Sequence, residues 1–311
     1  MTFGSQRRDG HATTQALRRR DVGLEVAWQA RVAAVDEHLG PALAGDGVGV
    51  HQARVASRRL RETLPLAAAV IPDDVAADAS RLLRRLTRTL GAVRELDVAR
   101  TVTAESVADD TLRADIDALI VARRDLARAT LVETWTADRV ARLQRRLARV
   151  AECLVAASDD AARARWHESL GLRLARRADE LILRCQAATL VYDSERLHAI
   201  RIATKKLRYV VEVAGDLRLA AAARALKTLK KHQDTLGHLH DLDVLAAFAA
   251  SVPSPGLAAA QAAWARDVHA HHARHLRGRA ALLRVADLVH DRMSPRVRGL
   301  ADHAPAPTLA R

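Results

Sequence analysis

Two stretches of the chain, VHQARVASRRLR at Val50 to Arg61 and LHAIRIATKKLR at Leu197 to Arg208, spell one pattern, and 147 residues separate His51 from His198. His51, Arg54, Ala56, Leu60 and Arg61 return as His198, Arg201, Ala203, Leu207 and Arg208, while Arg58 and Arg59 return as Lys205 and Lys206. A second match follows each: LRRLTRTLGAVRELDV at Leu83 to Val98 is answered 146 residues later by LKKHQDTLGHLHDLDV at Leu229 to Val244. Two long matches in one order, at nearly one offset, predict an internal duplication. A period of this length is that of a domain rather than a solenoid repeat, so the chain should fold as two related units.

Helical spacing fixes what each copy is. At about 100° per residue, His51, Arg54, Arg58 and Arg61 fall within an arc of roughly 80°, and Val50, Ala53, Leu60 and Leu64 fill the adjoining arc. Each copy therefore reads as an amphipathic helix with an apolar face beside a cationic face that carries a histidine. Ala, Leu and Arg dominate the 311 residues and aromatics make up only 3%, which favours an all-α protein.

Residues 1–16 read as a loose tail. Leu17, Leu24, Trp28, Val32, Val35 and Leu39 recur at helical spacing until GPALAGDGVG, where Gly45, Gly47 and Gly49 predict a turn. The first basic helix should start near Val50, kink at Pro65 and end at Ile71 to Asp74. Further helices are predicted over about 75–103, 111–133 and 137–157, the last two open to being one. Trp166 to Tyr192 then occupies the place of the first helix, Asp193 and Ser194 offer a cap for the second basic helix, and a helix over about 220–250 repeats the third. PSPG precedes a final helical pair, and 294–311 reads as a tail. The units are thus 17–157 and 158–293, each a bundle of four or more helices.

The doubled H-x-x-R-[VI]-A-[ST]-[RK]-[RK]-L-R string, in a helical Ala- and Arg-rich chain, resembles the CHAD family, the conserved histidine α-helical domain. The resemblance covers about Leu17 to Met293. It implies two related four-helix bundles whose basic residues bind inorganic polyphosphate; the repeat itself predicts that the copies pack as a pseudo-twofold pair, and no cofactor is expected.

Charge points the same way. Lys plus Arg number 50 against 37 Asp plus Glu, a net charge of +13 and a pI near 11.0, so the surface attracts polyanions. The cationic face comprises His51, Arg54, Arg58, Arg59 and Arg61 in one copy and His198, Arg201, Lys205, Lys206 and Arg208 in the other. The third segment adds Arg81, Arg84, Arg85 and Arg88, and its counterpart adds Lys227, Lys230 and Lys231. Like charges at i, i+4 are mildly destabilising, and their presence in both copies calls for an anion to offset them. Solvated helix faces are the plainer alternative. His51 and His198, at the edge of the cationic arc, suit either a phosphate contact or helix packing.

Asp97 and Asp243, preceded by Glu95 and Asp241, are expected as structural supports for the basic groove. The resemblance implies an R-D-x-D-like motif there, from which Glu95 departs in copy one and His240 in copy two. Paired carboxylates can also hold Mg²⁺ for phosphoryl chemistry, which makes a phosphate-processing enzyme a further alternative, but no nucleophile, P-loop or Gly-rich cradle accompanies them, and a non-catalytic binding protein is expected. Among the later histidines, His271 with His275 and His269 with His272 have helix-face spacing for zinc, with Asp267 a turn before His271. Without a fuller ligand set, they read as exposed polar residues and no metal site is expected. Nucleic acid is the rival partner, since phosphate contacts dominate its binding too, yet four Trp, two Tyr and two Phe supply few stacking platforms.

Cys153 and Cys185 have no C-x-x-C spacing and read as small apolar residues of a reducing compartment. No signal-like apolar run opens the chain, and Val244 to Ala265, its longest uncharged stretch, is broken by Pro253, Pro255 and Gly256. A cytoplasmic protein without membrane insertion is expected, with association with polyphosphate granules following from the resemblance.

Overall fold

The computed structural model describes residues 23–216 and 220–302, and among them holds helix and no strand. In order come α1 (Leu24–Ala44), α2 (Gly47–Ala67), α3 (Asp73–Ser106), α4 (Asp110–Thr134), α5 (Ala137–Ala156), α6 (Asp160–Ala187), α7 (Ser194–Asp216), α8 (Ala220–Ala249) and α9 (Leu257–Leu288). A π-helical turn (Val289–Met293) joins α9 to α10 (Ser294–Asp302). Residues 1–16, Leu17 and the end of the C-terminal tail lie outside the described residues.

The all-helical prediction holds, and the boundaries differ where backbone detail decides them. α1 runs through Pro41 to Ala44, because a proline in the last turn removes only one ladder bond. Gly45, at φ 98, closes α1 in the left-handed conformation, and Asp46 caps α2 by accepting from the amides of Val48 (3.1 Å) and Gly49 (2.8 Å). α2 therefore starts at Gly47, not near Val50. A Cβ on Gly49 would lie 2.7 Å from the Ala42 amide nitrogen, so this glycine lets α2 begin against the end of α1. Pro65 stands within the last turn of α2, and the helix runs on to Ala67.

The two segments left open at 111–157 are separate helices. Trp135 breaks them, buried and donating from Nε1 to Thr89 Oγ1 at 2.9 Å. The helix in the place of α1 begins at Asp160 and ends at Ala187, and Asp193 caps α7 through the Arg196 amide (3.0 Å). The expected final pair is one 32-residue helix, α9, continued by α10. The expected tail at Ser294 is thus helical as far as Asp302: Ser294 is buried and donates to the Gly171 carbonyl at 2.8 Å, and Val297 is fully buried.

α1, α2, α3 and α5 pack as one bundle, with α4 against α3; α6, α7, α8 and α9 pack as the next, with α10 against α6. Equivalent positions of the two basic helices do equivalent work. Ala53, Ala56 and Leu60 are buried in α2, as are Ile200, Ala203 and Leu207 in α7. The buried Ser57 and Thr204 hydroxyls donate to backbone carbonyls of their own helices, those of Arg54 and Ile200. The halves join where α2 meets α6 and α7, and where α3 and α4 meet α8. One apolar core continues through both, and a second, built on Ile116, Ile120, Leu245 and Trp264, ties their far ends.

Ion pairs also cross the junction. Arg173 on α6 donates to Glu62 on α2 at 2.6 Å, and Arg59 on α2 to Glu212 on α7 at 3.2 Å. Glu62 and Arg173 are less than one-fifth exposed, so removing the carboxylate strands the guanidinium in a dry place. Glu62→Gln should lower unfolding free energy by about 2 kcal/mol, less than a fully buried pair loses. Urea denaturation measures this, and an unchanged midpoint would remove Glu62 from the account of how the halves are held.

Candidate anion-binding site

A cavity of about 790 Å³ opens where α2, α3, α7 and α8 meet, between the two halves. Matching positions of the two motif copies line it. His51 and Arg54 from α2 face it, as do His198 and Arg201 from α7. Arg58 is matched by Lys205, and Val55 by Ile202. From α3 and α8 come Arg94 and His240, Glu95 and Asp241, Val98 and Val244, again equivalent at the 146-residue offset. The helix period explains the set: with Ala53, Ala56 and Leu60 committed to the core, positions 51, 54, 55 and 58 form the adjoining face.

Five cations line the cavity against two carboxylates. Arg54 donates to Glu95 at 3.3 Å, while its Nε is buried without a hydrogen-bond partner, and so is the Nε of Arg201. Burial, then Arg58, pushes the Arg54 pKa down to about 10. Burial also lowers Arg201, with Asp241 opposing and Arg58 reinforcing the shift. Lys205 is affected most: burial, then Arg201, Arg58 and Arg54, hold its ammonium down to about 7. His51 is lowered by burial, Arg94 and Arg54, and His198 by burial, Arg201 and Lys205. Burial raises the Asp241 carboxyl despite the cations beside it. Glu95 and Asp241 compensate only part of this positive charge, and the unpaired Nε atoms of Arg54 and Arg201 stand at equivalent positions of the two copies. An anion with several acceptor oxygens is what such a space accommodates.

The remaining sequence candidates lie elsewhere. Arg59 pairs with Glu212, Lys206 with Glu180 at 2.7 Å, and Arg208 with Glu212 and with Gln233 at 2.8 Å. Arg61 is not among the cavity-lining residues, and its pKa is lowered by partial burial and by the neighbouring Arg58 and Arg84, with Glu62 opposing. Arg81 pairs with Asp78 of its own helix, Arg84 donates to the Ser80 carbonyl, and Arg85 and Arg88 are exposed. Lys227, Lys230 and Lys231 line a separate shallow groove between α8 and α9, with His238, His271 and Arg274. Asp97 pairs with Arg124 of α4 at 2.6 Å and Asp243 accepts from the Tyr192 hydroxyl at 2.6 Å, so Glu95 and Asp241 are the acids that meet the cleft cations. Arg94, His240, Tyr209, Gln233 and Phe248 also line the cavity; the 146-residue offset was the signal for the first two.

Among the described residues, no group of three or more His, Cys, Asp and Glu side chains is placed to hold a metal. His271 bonds the Asp267 carbonyl and stacks 4.0 Å from His238, His272 packs edge-on to Tyr192, and His275 is buried against His232. Cys185 is buried with its thiol pushed up to about 11 by burial, and Cys153 is half-buried. No helix among the described residues is long and apolar enough to cross a membrane.

A cation buried among cations should destabilise the empty protein. The unfolded chain holds the Lys205 proton up to about 10.4 and the folded chain only to about 7. Between those values the unfolded state binds more protons, so the Lys205 contribution to stability rises with pH there and falls as pH drops through 7. Lys205→Met should therefore raise the melting temperature at pH 7 and flatten its rise between pH 7 and 10, read by calorimetry. A lower melting temperature would contradict this.

Comparison with known proteins gives the family and the fold. The family model described as the CHAD domain matches residues 26–250, well over half of the chain. The crystal structure of the CHAD domain from the plant Ricinus communis is similar at 23% identity, over 92% of this chain and 95% of that one, with a TM-score of 0.52; it supports the fold alone. No curated protein matches significantly. The chain, with its doubled basic helices around one cleft, belongs to the CHAD domain family.

Proposed function

We propose that the central cleft binds inorganic polyphosphate without catalysing its turnover. The observation that carries this reading is the convergence of Arg54 with Arg201 and of Arg58 with Lys205 on one cavity, the Nε atoms of Arg54 and Arg201 being buried without a partner. A chain of phosphates presents oxygens on every unit and no bulky group between them, so it can meet these donors in succession. It also has no direction: read from either end it is the same. Two matching walls suit such a ligand, whereas a nucleic acid strand has polarity and would meet equivalent residues in inequivalent ways.

The cleft aromatics also favour polyphosphate over nucleic acid. Tyr209 and Phe248 are nearly buried, and each already carries a guanidinium over its ring, Arg208 at 4.7 Å and Arg123 at 4.9 Å. Open stacking platforms, on which single-stranded binders rely, are not what these rings offer. The lowered Lys205 has the character of a nucleophile, but the neighbours that lower it are the cations an anion would neutralise, so a binding role accounts for it. Such a chain would serve in the cytoplasm, gathering on polyphosphate granules.

Competition tests the reading. Long-chain polyphosphate should displace single-stranded RNA at matched charge and salt; equal or tighter binding of RNA would give the function to nucleic acid. Arg54→Ala and Arg201→Ala should each weaken polyphosphate binding about tenfold, the worth of one charge-assisted contact. Binding should also weaken steeply with salt. If only one of the two substitutions mattered, a ligand shared between the motif copies would be excluded.

A further inference from the structure

The cations occupy only part of the cavity they line. On α3 and α8 the last charged lining residues are Glu95 and Asp241, and after them both helices present apolar side chains: Leu96, Val98 and Ala99 from α3, Val244 and Phe248 from α8. Among the described residues, no polar side chain of either helix lines the cavity beyond that point. Ala99 and Phe248 belong to the second apolar core, and Leu96, Val98 and Val244 pack against it, so that core gathers all five into a common wall. Leu96, Val98 and Val244 are only half-buried, which leaves hydrocarbon facing the cavity. From Asp241 to Phe248 a helix advances roughly 10 Å, and that sets the reach of the wall.

A phosphate chain gains nothing there, since oxygens laid against hydrocarbon lose water without meeting a donor. A cavity of about 790 Å³, with an apolar wall and a few convergent charged groups, instead has the size and make-up of a small-molecule site. The charged part asks for an anion of more than one oxygen, and the apolar part for a body without polar groups. A nucleoside does not meet the second demand: its base and ribose would go unpartnered beside Leu96, Val98 and Val244, and the Phe248 ring already carries the Arg123 guanidinium at 4.9 Å. A flexible hydrocarbon chain does meet it.

We propose that the cavity also takes an aliphatic diphosphate, with its phosphates among Arg54, Arg58, Arg201 and Lys205 and its hydrocarbon chain along Leu96, Val98, Val244 and Phe248. The inference goes beyond the polyphosphate reading and rests on it in one respect, that these cations receive phosphate. Glu95, which accepts from Arg54, and Asp241 stand between the two regions and mark where the head group ends.

The test is calorimetric titration of the full chain with inorganic diphosphate, with ADP, and with dimethylallyl, geranyl and farnesyl diphosphate, each kept below its micelle concentration. Each buried methylene is worth about fourfold in affinity. Geranyl diphosphate should therefore bind at least about a hundredfold more tightly than inorganic diphosphate, at one per chain, and more tightly than ADP. The gain from dimethylallyl to geranyl should exceed that from geranyl to farnesyl, because a wall of this reach is by then filled. Leu96→Gln should lose at least about tenfold of the geranyl gain while binding inorganic diphosphate as the wild type does. Geranyl diphosphate should also displace polyphosphate, since both need the same cations. Geranyl diphosphate bound no more tightly than inorganic diphosphate or ADP, or at several per chain, would overturn the aliphatic site and leave the polyphosphate reading standing. Failure of both inorganic diphosphate and polyphosphate to bind would overturn that reading as well.

Discussion

Like charge held in a half-buried space is the constraint on which the rest of this structure depends. Arg54, Arg58, Arg201 and Lys205 converge from two helices on one cavity, and Glu95 and Asp241 balance only part of them. In water such groups would move apart; here each is fixed to a helix whose opposite face is locked into the core by Ala53, Ala56 and Leu60 or by Ile200, Ala203 and Leu207. Burial of that apolar face holds the basic helices in place against their mutual repulsion. The depressed Lys205 and Arg54 are the consequence.

The junction between halves makes the site possible. Neither half alone encloses the cavity, since its walls come from α2 and α3 on one side and α7 and α8 on the other. Cross-junction pairs such as Glu62 with Arg173 and Arg59 with Glu212, and the core that runs through both halves, fix the distance between the walls. Some motif cations thus serve architecture. Arg59, Lys206 and Arg208 each meet a carboxylate, and of the motif's arginines and lysines those at positions 54 and 58 and their counterparts line the cavity.

The helices were legible in the sequence because apolar spacing and the doubled motif are local signals. So were His51, Arg54 and Arg58, with His198, Arg201 and Lys205, which share one helix face by period alone. What the chain could not display was the meeting of the two faces. Periodicity sets the face a residue takes on its own helix and leaves open which helix it confronts, so Lys227, Lys230 and Lys231 read as groove residues although they lie between α8 and α9. Asp97 and Asp243 read as supports for the basic residues, while Arg124 and Tyr192 claim them. Glu95 and Asp241, half a turn earlier, reach the cleft. The stretch from Gly40 marked the end of α1 too early, because Pro41 stands in a last turn, where a proline costs little.

The most direct test is the number of protons taken up when polyphosphate binds, from calorimetric titrations at pH 8 in buffers of different ionisation enthalpy. An empty cleft holds Lys205 mostly neutral at that pH, and an anion that neutralises Arg201, Arg58 and Arg54 restores its proton. The account predicts net uptake approaching about one proton per site, abolished in Lys205→Met. Binding with no proton exchange, or with release, would contradict the claim that the anion enters this cleft.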